Sequence, residues 1–203
     1  LALVIFLSRD SGGWSSTRLL LTGIVMASGW GALISFFLSI SQQNQIQGML
    51  FWLMGDFRDR GPGLVHYLTL LVVLIASIFA SRGLNLLVAG TLKAESLGVH
   101  TLRLRFAMLI GAGLLTAVAV TLAGAIGFVG LVVPHIMRLI VGPDHRRLIP
   151  AALMMGGSLL VITEMLARTV LAPRQLPVGV ITAFVGVPLF LYLLRRGSRQ
   201  EMP

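Results

Sequence analysis

The stretch "GFVGLVVPHIMRL", Gly127 to Leu139, decides how the chain is read. Pro134, His135 and Arg138 fall within five positions of an otherwise apolar run. In a soluble core this is a poor helix and a poor strand, because proline lacks the amide donor and crowds the carbonyl four residues back, here that of Gly130. In a membrane helix enclosed by protein the same pattern is tolerable. It predicts a short span over 126–141, with Gly130 and Gly127 leaving room for a break at Gly130 and Pro134. Sixteen residues reach roughly 24 Å at 1.5 Å per residue, less than the ~30 Å hydrocarbon core, so neighbouring helices must surround the span. His135 and Arg138 then lie in its final turns, where a cation favours the helix C-terminus and a long side chain reaches the interface. Neither residue needs to be catalytic.

The rest of the chain agrees with lipid as its solvent. Of 203 residues, 56% are hydrophobic and only 11% charged, against about 25% charged in an ordinary soluble domain. Apolar windows predict further spans over 18–40, 64–81, 106–125, 149–171 and 180–194, making an all-α polytopic membrane protein. The piece "NQIQGMLFWLMGDF", 44–57, is too brief to cross and reads as a short amphipathic helix at the interface. Its N-terminal "LALVIFLSRD" holds seven apolar residues that stop at Ser8-Arg9-Asp10. This reads as the tail of a membrane helix whose beginning is missing, so residues 1–203 are expected to form a single membrane domain truncated at its N-terminus. Without cysteine, disulfides, thiolate catalysis and Cys-based metal sites are excluded.

Charge supplies the orientation. Of the 16 Lys and Arg residues, 12 fall in one alternate set of loops (Arg9, Arg18, Arg82, Lys93, Arg103, Arg105, Arg138, Arg146, Arg147, Arg195, Arg196, Arg199) and 4 in the other (Arg58, Arg60, Arg168, Arg174). The positive-inside rule places the first set, with the C-terminus, in the cytoplasm. The net charge of +9 thus has a topological origin, and no nucleic-acid partner is expected. Small residues at helix-packing spacing, Gly23, Ala27 and Gly31, indicate close helix approach. The four histidines, at 66, 100, 135 and 145, are scattered over different ends, so neither a catalytic constellation nor a metal site is expected. Glu164 is the only acidic residue within a long apolar span and lies toward its outer end, which disfavours a proton-coupled carrier.

"LAGAIGFVGLVVPHIMRLIVGPDHRRLIP", continued by "LLVITEMLAR" and "LPVGVITAFVGVPLFLYLLRR", resembles the C-terminal signature of permease subunits of ABC importers for iron–siderophore complexes, haem and vitamin B12. "QGMLFWLMGDF" and "AESLGVHTLRLR" extend the resemblance over essentially the whole chain. It implies the permease fold of type II ABC importers, with about the last six of ten membrane helices present. It implies transport of an iron chelate into the cytoplasm, with cobalamin as the alternative cargo, across a bacterial or archaeal plasma (inner) membrane. The implied partners are a second permease subunit, expected to be identical, two ATPase subunits and a periplasmic or lipid-anchored binding protein. ATP and Mg would reside in the ATPase, since the chain has no GxxxxGK loop; no cofactor is expected here.

The resemblance also assigns residues. Segment 89–105 matches the cytoplasmic coupling loop, with Ala94, Glu95, Leu97 and Gly98 as candidates for the ATPase contact. Arg168 matches an arginine that docks the binding protein, and Arg58 and Arg60 lie on the same side; a pair between Glu164 and Arg168 is the competing account. The first full span and the short helix over 44–57 match the translocation path and its gate, lined by Ser28, Gly29, Gly31 and Ser35.

Overall fold

The computed structural model describes residues 9, 10, 13, 14, 16–57 and 61–197. The chain forms two compact units, residues 1–50 and 51–203.

In the first unit, β1 (Arg9–Asp10) and β2 (Gly13–Trp14) make a two-residue antiparallel pair, Arg9 opposite Trp14. This is a small addition to the expected all-α fold. Helix α1 (Ser16–Ile40) follows. Leu20, Ile24, Val25, Trp30, Phe36 and Phe37 are all exposed on it, so it is apolar all round, as suits a helix surrounded by lipid or other helices. The short helix α2 (Gln43–Leu53) crosses into the second unit. It ends earlier than the expected 44–57 because Gly55 takes a left-handed φ of +87°, which a helix cannot continue through.

The second unit continues with α3 (Leu64–Val88), α4 (Thr91–Ser96), α5 (Thr101–Ala123), α6 (Val129–Val141), α7 (His145–Thr169) and α8 (Val178–Gly197). Helix α3 packs on α5 and α7, and α6 packs on α7 and α8. Among the described residues four helices, at 20–40, 64–88, 101–123 and 145–169, are long and apolar enough to cross a membrane, and α6 and α8 are shorter apolar helices. The apolar centre lies between α6 and α7, where Val133, Met137 and Leu148 are buried against Val129, Ile136, Ala152 and Leu159.

A helix lies over each expected span, but several ends differ. Helix α3 runs seven residues past Ser81, because Arg82 and Asn85 occupy its last turns without breaking it. Helix α7 starts before the expected 149, since the Asp144 carboxylate accepts a hydrogen bond from the Arg146 N–H, 3.0 Å, and caps it.

The break expected at Gly130 and Pro134 is a correction: α6 runs unbroken through both. The irregular backbone lies earlier, at 124–128. Gly124 takes φ +68° and Phe128 φ +67°, and Phe128 is the residue from which α6 begins. A left-handed non-glycine residue costs about 1–2 kcal/mol. Phe128 is held against α8 at Gly186, where a Cβ would sit only 2.4 Å from the Phe128 Cβ. Thirteen residues make α6 about 20 Å long, still too short to span a bilayer.

Candidate functional site

Segment 89–105 is a helix, a turn and the first residues of α5. Helix α4 follows α3 after only Ala89 and Gly90, the latter at φ +121°. It ends in a Schellman turn: the Gly98 N–H donates to the Glu95 carbonyl, 2.9 Å, and the Val99 N–H to the Ala94 carbonyl, 3.0 Å. Gly98 has φ +82°, as this turn requires. Side chains close the segment on itself. The Thr101 hydroxyl donates to Glu95 Oε1, 2.6 Å, and Arg105 Nη2 donates to the Thr91 hydroxyl, 3.1 Å.

The four candidate coupling residues therefore do different things. Leu97 is 59% exposed and Leu92, which sequence reasoning missed, 85%; both offer an apolar surface. Glu95 is exposed and tied to Thr101, and Gly98 shapes the turn. Ala94 is fully buried. This corrects its expected place at the contact surface: a methyl packed into the fold touches no docking protein, but it lets α4 lie close to its neighbours.

The same end of the unit holds a polar joint. Asn85, in the last turn of α3, donates from Nδ2 to Asp144 Oδ1, 2.7 Å. Its Oδ1 accepts from the His145 backbone N–H, 2.9 Å, and lies 2.7 Å from His145 Nδ1. The Arg146 backbone N–H and the Asn85 amide hold the Asp144 carboxyl below the ordinary carboxylate range, against the opposing effect of burial. Gly-Pro-Asp-His before an apolar run signals an N-cap at Asp144. Nothing local in the sequence identifies Asn85 as its partner.

At the opposite end the chain is fastened through glycine. The Asp56 N–H donates to the Ala123 carbonyl and the Val178 N–H to the Gly55 carbonyl, both 2.9 Å. A Cβ on Gly124 would lie 1.9 Å from the Trp52 carbonyl oxygen, one on Gly179 2.0 Å from the Met54 carbonyl oxygen, and one on Gly55 2.8 Å from Ile126. The backbone after α2 is thus wedged between the end of α5 and the start of α8 at a separation only glycine permits. These three glycines were also missed; Gly55 and Gly124 carry the signal of a glycine just past a helix end, and Gly179, in the first turn of α8, carries none.

Arg168 lies in the last turn of α7, half exposed, with its Nε bonded to Glu164 Oε1 one turn earlier. The internal pair that competes with docking as an account of Arg168 is formed, with the Arg168 side chain half exposed. Arg58 and Arg60 lie outside the described residues. On α1, Ser28, Gly31 and Ser35 share one face and Gly29 lies beside it. All four are exposed. Both hydroxyls donate within their own helix, Ser28 to the Ile24 carbonyl and Ser35 to the Gly31 carbonyl, each 3.0 Å.

Comparison with known proteins gives this arrangement its context. Residues 1–196 match the FecCD transport family. The cobalamin import system permease protein BtuC of Halobacterium salinarum is 41% identical over 194 residues, 95% of this chain and 52% of that protein. The hemin transport system permease protein HmuU of Yersinia pestis is 37% identical over 98% of this chain and 60% of its own length. The Fe(3+) dicitrate transport system permease protein FecD of Escherichia coli is 39% identical over 88% of this chain and 57% of that protein. A solved inward-facing structure described as a metal-chelate type ABC transporter aligns with TM-score 0.85 at 31% identity, over 96% of this chain and 63% of that one. The chain spans little more than half the length of the curated relatives it matches. With the fold and nearly every described residue accounted for by that likeness, the chain belongs to the FecCD transport family.

Proposed function

We propose that this chain is part of the membrane-spanning subunit of an ABC importer that moves an iron chelate, siderophore or haem, into the cytoplasm. Cobalamin is the alternative cargo, because the relatives' names span cobalamin, hemin and ferric dicitrate. The observation that carries the reading is α4: a short helix, closed on itself by two side-chain bonds, held between α3 and α5 and presenting Leu92 and Leu97 outward. An apolar knob on a rigid base suits a partner that pushes.

In this account two permease subunits, identical to each other, enclose the path and two ATPase subunits bind α4 from the cytoplasm. ATP and Mg act in those subunits. Closure of the ATPase pair moves α4, which reorients α1 and α2 between outward and inward access. A binding protein docks at the opposite face through Arg168, with Arg58 and Arg60 contributing. Charges at such a rim act mainly on encounter and orientation. Ser28, Gly29, Gly31 and Ser35 offer the path a small surface whose hydroxyls are already bonded to their own helix, which suits an intact chelate over a bare ion. The chain lies in the plasma membrane with its C-terminus in the cytoplasm.

The absence of cysteine from the sequence makes cross-linking the direct test. With Leu97→Cys in the assembled transporter, a short bifunctional reagent is expected to join this chain to the ATPase. Efficient cross-linking of the ATPase from Arg168→Cys, and none from Leu97→Cys, overturns the reading.

A further inference from the structure

Asn85 is unusual among the polar residues of these helices. Most of the hydroxyls bond a carbonyl three or four residues back in their own helix. Asn85 instead reaches across about 60 residues of sequence and uses both ends of its carboxamide on Asp144 and His145. Those two residues are the cap and first residue of α7. Asn85 is therefore the polar joint between the end of α3 and the start of α7.

The surroundings make this joint mechanically significant. Helix α4 is attached to α3 by two residues, and the Ala89 N–H there donates to the carbonyls of Asn85 and Leu86. Near Asn85, α3 and α5 are in contact: a Cβ on Gly83 would lie 3.0 Å from a Leu104 methyl. A displacement of α4 is thus delivered to the turn of α3 that carries Asn85. At its far end α7 carries Arg168, and the Ala167 carbonyl there accepts from the Leu176 N–H, 3.0 Å. One continuous helix of 25 residues, with Pro150 in its second turn, joins the two ends.

We propose that Asn85 is a positioning residue for transport: it makes α3, with the attached α4, and α7 move as one body, so that motion imposed at α4 reaches the end of α7 that bears Arg168. The proposal rests on the importer reading above. A residue that only stabilised the fold would weaken every activity in proportion. A transmitting residue separates ATP hydrolysis from uptake.

The test uses the complete transporter, with its ATPase and binding protein, in proteoliposomes. Uptake of ferric siderophore, haem and cobalamin is measured alongside ATP hydrolysis in the same vesicles. Asn85→Leu is expected to keep hydrolysis within about twofold of the unsubstituted transporter while uptake falls about tenfold, a loss of coupling in the ordinary range. The exchange Asn85→Asp with Asp144→Asn restores a donor facing an acceptor and keeps an oxygen to cap α7. It is expected to return the ratio of hydrolysis to uptake to within about twofold. Parallel loss of hydrolysis and uptake in Asn85→Leu, no loss of either, or failure of a stably assembled exchange variant to recover the ratio overturns the role of Asn85. Hydrolysis without uptake of any cargo by the unsubstituted transporter overturns the importer reading instead.

Discussion

A methyl group on Gly124 would lie 1.9 Å from the Trp52 carbonyl oxygen, and one on Gly179 2.0 Å from that of Met54. Neither oxygen belongs to a flexible side chain, so the backbone itself would have to move. Gly124→Ala or Gly179→Ala is expected to cost about 1–3 kcal/mol, as overpacking does, and Gly124→Ala more because its φ is left-handed. Gly157→Ala, where nothing lies within 4 Å, is expected to be neutral or to gain about 0.5–1 kcal/mol from helix propensity. Thermal midpoints in detergent distinguish these outcomes, and equal midpoints for Gly124→Ala and Gly157→Ala contradict the wedge. Asp144 supplies a prediction in pH. Its pKa is held below the ordinary carboxylate range, so its contribution is complete above that range and is lost as pH falls through the depressed value. The stability difference between the unsubstituted protein and Asp144→Asn is expected to be constant near neutral pH and to shrink only in acid. A difference that has already vanished near neutral pH contradicts the assignment. Residue chemistry of this kind was half legible: the Asp144 cap has a local signature, whereas the Asn85 contact lies about 60 residues away and the glycine contacts depend on which helix ends meet.

Among the elements, α4 and its turn show how a six-residue helix can be held without a hydrophobic core of its own. Isolated helices of this length are unstable, so the Schellman turn and the Glu95–Thr101 and Thr91–Arg105 bonds do what length cannot. Gly98→Ala places an L-residue at φ +82° and is expected to cost about 1–2 kcal/mol. Amide hydrogen exchange over residues 91–99 is then expected to accelerate while that of α5 stays unchanged; unchanged exchange over 91–99 contradicts the role of the turn. Hydrophobic runs located every long helix, since lipid requires an apolar surface and internally bonded backbone. They misplaced ends, because Arg82 and Asn85 are polar yet helical, and because the irregular backbone lies at Gly124 and Phe128 instead of at Gly130 and Pro134. A proline removes one hydrogen bond; two left-handed residues redirect the chain.

For the whole molecule, the second unit has two differently built ends. One carries the polar joint of Asn85 with Asp144 and His145 and the exposed leucines of α4. The other carries the glycine wedge and the Glu164–Arg168 pair. The basic residues Arg82, Lys93, Arg103 and Arg105 gather at the first end. The cargo was legible only as a family resemblance, because the residues proposed to line the path, Ser28, Gly29, Gly31 and Ser35, are small and carry no chemistry specific to one cargo. The account stands most directly on ATP-dependent uptake by the complete transporter in proteoliposomes with its binding protein and ATPase. It predicts accumulation of one of ferric siderophore, haem or cobalamin, requiring ATP and lost when Leu92 and Leu97 are both replaced by aspartate. Accumulation driven by a proton gradient without ATP, or uptake unaffected by those replacements, contradicts it.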